Sequence, residues 1–258
     1  MTSPRSYLFV PGNRPDRFAK AYASKADAVI IDLEDAVPPS EREAARAHVA
    51  NWLSPDHPVL IRISGLNEDL ALCDKPGVAG VMLPKAERIE DLAAIPNAHL
   101  FPMIETALGF WYLSALAHAP HVERLIFGSI DLQLDLGIRG EGEELLYFRS
   151  QLVLVSRIAG LPPPVDGITT TFHTPEPVRE DTRRARRLGF GGKLCIHPSQ
   201  APIVNECFGP TLEEIAWAKR VVEATAGTSG EAMSLDGEMI DRPVIARAQS
   251  ILAQIDIP

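Results

Sequence analysis

The chain has 258 residues, 46% hydrophobic and 23% charged, which suits one large globular domain whose core needs no disulfide or metal staple. Its net charge of −9 argues against general nucleic-acid binding and against an anionic membrane surface, so an anionic ligand requires a local basic pocket. Cys73, Cys195 and Cys207 form no CxxC pair, TSPRSYLFVPG is too soon broken by Pro11 for a signal peptide, and no apolar run nears about 18 residues, so a cytoplasmic protein is expected.

Taken in order, the apolar runs alternate with helical segments. SYLFV (6–10) stops at Pro11, and NRPDRFAKAYASKA follows with helical spacing. DAVIIDLEDAV (27–37) turns acidic at Asp32, Glu34 and Asp35, and SEREAARAHVANWL (40–53) reads as a helix with a Ser40–Glu43 capping box. PVLIRIS (58–64) holds Arg62 in apolar company, and GVAGVMLPKAE (77–87) precedes a helical ERIEDLAAI. HLFPMIE (99–105) and RLIFGSID (124–131) each end on a carboxylate and are joined by the helix-length TALGFWYLSALAHA. YFRSQLVLVSRIAG and PEPVREDTRRARRLG are helices closed by Gly160 and Gly189, and the latter's RRARR run reads as a solvated outer face. The last two strand-like runs are PPPVDGITTTF (162–172) and GGKLCIHPS (191–199).

Eight strand-like runs alternating with helices predict a closed (β/α)8 TIM barrel over residues 1–205. An open doubly wound sheet would carry a Gly-rich phosphate turn after its first strand, and PGNRPDRF lacks GxGxxG. Residues 206–258 read as a helical extension: a helix over 211–227 with a Thr211–Glu214 capping box, a loop-like GTSGEAMSLDGEM, and a helix over 241–254 that Asp241 would cap by default.

In such a barrel the strand C-termini converge on one rim. Arg14, Arg62, Lys85 and His197 there face Glu34, Asp35, Glu105 and Asp131. Glu105 and Asp131, read as ends of adjacent strands, would repel unless a cation or proton lay between them, and Mg²⁺ favours such oxygen ligation; both would serve equally as caps of the helices that follow. Arg62 reads as functional or as the partner of Asp32 or Glu34. Lys85 reads as a loop lysine or a Schiff-base lysine. His197 reads as a structural hydrogen bonder or a substrate contact.

RSYLFVPGNRPDRFAKA, DAVIIDLEDAVPPSEREAAR, VMLPKAE, FPMIETALG, FGSIDLQLDLG, RRLGFGGKLCIHPSQ and DGEMIDRP together resemble the citrate lyase β-subunit (CitE-like) branch of the HpcH/HpaI aldolase family, in order from residue 5 to the last helix. The resemblance implies a TIM barrel, Mg²⁺, coenzyme A as part of the substrate, and homo-oligomers (trimer or hexamer) in which a C-terminal segment reaches a neighbour's site. It also implies a lyase that cleaves a 3-hydroxyacyl-CoA of the citryl-, malyl- or citramalyl-CoA type, in a reversible Claisen-type reaction, to an acyl-CoA and a 2-oxo acid. By motif position, Glu105 and Asp131 match metal ligands, Arg62 the arginine beside the metal, and Asp241 an acid/base supplied by the tail. Arg14 falls near the substrate and CoA, with Glu34 and Asp35 where the family keeps supporting carboxylates; Lys85 and His197 complete the expected substrate rim. Ile130 stands where many relatives are acidic, and Thr171, His173 and Thr174 occupy a segment where relatives often carry aspartates, so substrate choice within the family stays open. The alternatives are a CoA-independent 2-oxo acid aldolase and a non-catalytic CoA-binding barrel.

Overall fold

The computed structural model describes residues 3–95, 99–226 and 232–254. In chain order its strands and helices are β1 (Ser6–Pro11), α1 (Phe18–Tyr22), β2 (Ala28–Asp32), α2 (Arg42–Trp52), β3 (Val59–Arg62), α3 (Leu66–Cys73), β4 (Val78–Leu83), α4 (Ile89–Ala93) and β5 (Leu100–Ile104). These are followed by α5 (Ala107–Trp111), α6 (Leu113–Ala117), β6 (Ile126–Phe127), α7 (Ser129–Leu136), α8 (Leu146–Ile158), β7 (Val165–Asp166), α9 (Pro175–Leu188), β8 (Gly192–Cys195) and α10 (Gln200–Phe208). Then come α11 (Leu212–Ala224), β9 (Met233–Leu235), β10 (Glu238–Ile240) and α12 (Arg242–Ala253). Strands β1 to β8 close into one parallel barrel, with β1 paired to both β2 and β8. Among the described residues no helix is long and apolar enough to cross a membrane.

Strands buried on both faces need apolar residues at nearly every position, as VLFV-like runs supply. Alternate side chains fill the barrel: Tyr7, Ile30, Leu60, Met82, Met103, Ile126, Val165 and Leu194 pack into one interior cluster. Their neighbours, among them Leu8, Ile31, Ile61, Val81, Ile104 and Phe127, point outward and form a second, larger core with the helices. The same alternation aims Asp32 and Arg62, paired in register at the ends of β2 and β3, into the barrel mouth.

Several expected elements are shorter or differently ended. The run 124–131 is a strand only at Ile126–Phe127, so Asp131 lies in the first turn of α7 rather than at a strand end. The run 162–172 is a strand only at Val165–Asp166, because Pro162, Pro163 and Pro164 lack the N–H a ladder needs. No Ser40 capping box forms: Pro39, Ser40 and Glu41 make a 3₁₀ turn, and α2 starts at Arg42 with no side-chain cap. The helix expected over 106–119 breaks at Tyr112 into α5 and α6. Gly189 ends α9 at φ 97°, a left-handed conformation suited to glycine, and Arg183 and Arg187 are exposed on that helix.

The chain divides into two compact units after Phe208. In the second unit Thr211 and Glu214 form the capping box of α11, with bonds of 3.1 and 2.8 Å. The segment read as a loop contains a hairpin: β9 and β10 pair antiparallel around Asp236 and Gly237, at φ 54° and 84°. An Asp-Gly pair with both φ positive is the turn that matches the twist of two short strands. Residues 227–231 of that expected loop lie outside the described residues. Ala218, Val221, Ile240, Ala248 and Ile251 make the core of this unit, which is therefore two helices and a hairpin.

Candidate active site

Arg62 is the pivot of the barrel mouth. Its Nε and Nη2 donate to the two carboxylate oxygens of Asp32 at 2.7 and 2.6 Å, and Nη1 donates to Asp35 at 3.3 Å. Glu34 lies 3.1 Å from the same Nη1, and the guanidinium sits 4.7 Å over the ring of Phe9. Burial works against its charge, but hydrogen bonds and attraction from Asp32, then Glu34 and Asp35, outweigh that and raise its pKa. Asp32 and Asp35 accept from three of the five N–H donors, and Glu34 lies against Nη1 as well.

Lys85, just after β4, takes the left-handed conformation (φ 47°), unusual for a side chain of this size. The turn lets one residue serve two carboxylates. Its backbone N–H donates to Glu105 Oε1 at 2.8 Å, and its Nζ donates to Glu34 Oε1 at 2.6 Å. The same Nζ is 3.6 Å from Asp131 Oδ1. These partners hold the ammonium charged and raise its pKa against the effect of burial.

Glu105 follows β5 and is only 2% exposed. A Cβ at Gly128 would overlap its side chain, so glycine there makes room for the carboxylate. Burial, then repulsion from Asp131, pushes the Glu105 carboxyl up to about 8. Burial also raises the Glu34 carboxyl. In all, Asp32, Glu34, Asp35, Glu105 and Asp131, five carboxylates, gather about two cations, Arg62 and Lys85.

Asp32, Asp35, Arg62, Glu105 and Asp131 line a cavity of about 380 Å³, together with the apolar Phe9, Met103, Ile130, Ile168, Leu194 and Ile196. Among the described residues no three His, Cys, Asp or Glu side chains form a closed metal cage. The donor set nonetheless fits a hard divalent cation: two all-oxygen carboxylates, one disfavoured as an anion by burial and by repulsion from the other, open to water or substrate.

The expected residues are therefore partly gathered. Arg62, Glu34, Asp35, Lys85, Glu105 and Asp131 form one ionic cluster, in which Arg62 does have the Asp32 and Glu34 partners weighed from sequence. Arg14 is exposed beyond β1 and forks onto Asp16 at 2.9 and 2.8 Å, away from the cavity wall. His197 is exposed after β8, bonded to Ser199 Oγ at 2.7 Å and stacked on Phe172, while its neighbour Ile196 lines the cavity. Asp241, in the second unit, caps α12 by accepting from the Val244 N–H at 3.2 Å. Sequence reasoning passed over Asp32 as a site residue, although it ends β2 beside Arg62 on the inner face of the barrel, and gave no role to Gly128. It also missed the apolar wall, whose residues look like any barrel core until their height in the barrel is known.

Residues 5–198 match the family model described as HpcH/HpaI aldolase/citrate lyase. A citrate lyase subunit beta-like protein from Deinococcus radiodurans is 36% identical, covering 96% of each chain. A (3S)-malyl-CoA thioesterase from Cereibacter sphaeroides is 32% identical over 98% of this chain and 94% of its own. The crystal structure of CitE from Mycobacterium tuberculosis in complex with magnesium, acetoacetate and coenzyme A superposes with a TM-score of 0.89 at 32% identity, covering 98% of both chains. Matched over its barrel by that model and along almost its whole length by these relatives, the chain belongs to the HpcH/HpaI aldolase/citrate lyase family of carbon–carbon lyases.

Proposed function

We propose that the protein is a Mg²⁺-dependent acyl-CoA lyase that cleaves a 3-hydroxyacyl-CoA to an acyl-CoA and a 2-oxo acid, reversibly. The observation that carries this reading is the excess of carboxylates around Glu105 and Asp131 in a cavity shared with Arg62. The CitE structure with magnesium, acetoacetate and coenzyme A supports the choice of cation and of thioester. Mg²⁺ held by Glu105 and Asp131 would supply Lewis acidity toward the carboxylate and hydroxyl oxygens of the hydroxy-acid half.

The chain's own residues do the rest. As the substrate hydroxyl gives its proton to water, the C–C bond breaks and its electron pair passes to the thioester as an enolate. Arg62 donates to that oxygen from the guanidinium that Asp32 and Asp35 hold, a contribution of several kcal/mol on the order of an oxyanion-hole donor. Asp32 and Glu34 keep the planar guanidinium fixed in place, so little rearrangement accompanies the reaction. Asp241 returns a proton to the enolate carbon, balancing the one lost, and removes it in the synthetic direction. Lys85 holds Glu34 and faces Asp131; Arg14 and His197 stand exposed after β1 and β8, where an anionic CoA would enter, with Asp35 beside Arg62. The protein works as a cytoplasmic homo-oligomer in which the tail of one chain serves another.

The test is a panel of citryl-, malyl- and citramalyl-CoA type esters incubated with Mg²⁺, following 2-oxo acid and free CoA thiol separately. The reading expects 2-oxo acid with no free thiol, and no reaction under chelator. Thiol release without 2-oxo acid would instead select hydrolysis, the activity named for the Cereibacter sphaeroides relative. Neither product from any ester, with CoA still bound, would leave a non-catalytic barrel. Conversion of free 2-oxo acids alone would select the aldolase.

A further inference from the structure

The cavity wall is part charged and part apolar, and the difference bears on which 2-oxo acid the enzyme handles. The charged part is Asp32, Asp35, Glu105 and Asp131 with Arg62. The apolar wall includes Phe9, whose ring lies under the Arg62 guanidinium, with Met103, Ile130, Ile168, Leu194 and Ile196. Met103 points inward from β5 two residues before Glu105, and Ile130 directly precedes Asp131, so apolar surface begins beside both carboxylates.

Resting on the lyase reading above, we infer that the hydroxy-acid half of the substrate carries a short alkyl group against this wall, and not a second carboxylate. The first carboxylate and the hydroxyl face Glu105, Asp131 and their cation. A group on the same carbon then lies one bond away, against Met103 and Ile130. A second carboxylate placed there would lose its hydration to apolar side chains and find no cation of its own. Arg62 is the one basic residue among the described residues lining the cavity, already bound to Asp32 and Asp35. Lys85 beside it is held by Glu34. Arg14, the next cation along the chain, forks onto Asp16 outside the lining. With five carboxylates already about two cations, a dianionic 2-oxo acid adds to an existing excess. An alkyl group instead buries apolar area at no electrostatic cost.

The experiment is titration calorimetry of the full-length protein with glyoxylate, pyruvate, 2-oxobutyrate and oxaloacetate, each with Mg²⁺ and with chelator, and then condensation rates with acetyl-CoA. Pyruvate and 2-oxobutyrate should bind about 10-fold or more tighter than glyoxylate, the scale of one added carbon in an apolar pocket, and tighter than oxaloacetate by at least as much. Ile196→Lys places a cation at the open edge of the wall on a partly exposed side chain, where folding should tolerate it. It should narrow the pyruvate-to-oxaloacetate ratio about 10-fold or more. Oxaloacetate binding as tightly as pyruvate in the unaltered protein overturns the inference and leaves the lyase reading intact. A pyruvate preference unmoved by Ile196→Lys would remove the assignment of selectivity to this wall. Failure of every 2-oxo acid to bind with Mg²⁺ present would overturn the lyase reading itself, and this inference with it.

Discussion

Two ionic clusters in the barrel are built on opposite charge balances. Behind β7 and β8, Asp166 meets Arg149 at 3.0 Å and Lys193 at 3.6 Å, one carboxylate between two cations, with none of its surface exposed. The two cations also reach the backbone: Arg149 Nη1 donates to the Glu141 carbonyl and Lys193 Nζ to the Gly167 carbonyl, at 2.8 and 2.7 Å. Burial alone would raise the Asp166 carboxyl, but Lys193 and Arg149 hold it below the usual range. At the mouth the sign is reversed: five carboxylates surround two cations, and the Glu105 carboxyl is pushed up to about 8. The first cluster answers its buried carboxylate with cations supplied by the fold itself and needs no ligand for that charge, though Asp166 Oδ2 accepts no hydrogen bond. The second becomes electrostatically satisfied only when a proton or cation joins it, which is what a binding site requires.

The largest effects should come from neutralising the mouth. Glu105→Gln and Asp131→Asn keep side-chain shape and remove charge. Each should cost 10³-fold or more in turnover, about the several kcal/mol that a Lewis acid supplies. Calorimetry should show Mg²⁺ binding lost in both, with the melting temperature kept or raised. Near-normal turnover of either variant under chelator would sink the metal assignment.

Asp166→Asn should do the opposite. It leaves two buried cations facing a neutral amide, so urea unfolding should show a loss of about 3–5 kcal/mol, while kcat/KM per folded molecule stays the same. A loss below about 1 kcal/mol would mean that the carbonyls of Glu141 and Gly167 suffice, and the contrast between the clusters would lose its structural half.

Sequence patterning made the barrel legible because each strand is an apolar run between polar breaks, and the runs alternate with helices. Rim chemistry was legible to the extent that it depends on strand order: Glu34, Arg62, Lys85 and Glu105 all follow or end their strands. What it missed depends on local backbone geometry. Gly128 follows the short β6 and leaves room for Glu105, and Asp131 reaches the site from the first turn of α7. Lys85 meets its carboxylates through a positive φ, which no spacing of lysine and proline reveals. Asp32 and Arg62 face each other because their strands are in register, a property of barrel closure rather than of either segment. The hairpin at Asp236-Gly237 did carry a readable signal, but its two short strands follow a Gly- and Ser-rich stretch that reads as loop.

The unbalanced cluster also predicts a pH dependence. Glu105 has a folded-state pKa of about 8 against an ordinary 4.5, so the metal-free fold binds a proton that the unfolded chain releases. For a raised carboxyl the stability is fully present below about 4.5 and is lost as pH rises toward 8. Glu34, also raised, adds a change of the same sign. Under chelator, unfolding free energy should fall by on the order of a few kcal/mol across that window. Mg²⁺ should flatten or reverse the slope, since it binds the ionised pair. Glu105→Gln should remove most of the slope. A metal-free profile already flat in the unaltered protein would show that Glu105 ionises normally, and that the mouth needs no cation.

Asp241 is where the comparison is most exposed, because it already has a structural partner. It accepts from the Val244 N–H at 3.2 Å, so charge balance alone would class it with the structural carboxylates. As a cap it has a near equivalent: asparagine caps about as well as aspartate, and Asp241→Asn should then change neither stability nor rate. As the acid that protonates the enolate carbon it has none, since an amide transfers no proton at neutral pH. The lyase reading expects Asp241→Asn to lose on the order of 10²-fold in kcat, with unchanged melting temperature and Mg²⁺ affinity. Mixing it with Glu105→Gln adds the spatial answer. Each variant alone should be strongly impaired, but if the tail acts between chains a mixed oligomer would hold one intact site wherever an unaltered tail meets an unaltered barrel. Partial recovery would show that the tail acts between chains. No recovery in oligomers shown to be mixed would confine Asp241 to its own chain. A silent Asp241→Asn would return it to capping α12 and leave the enolate's proton to another donor.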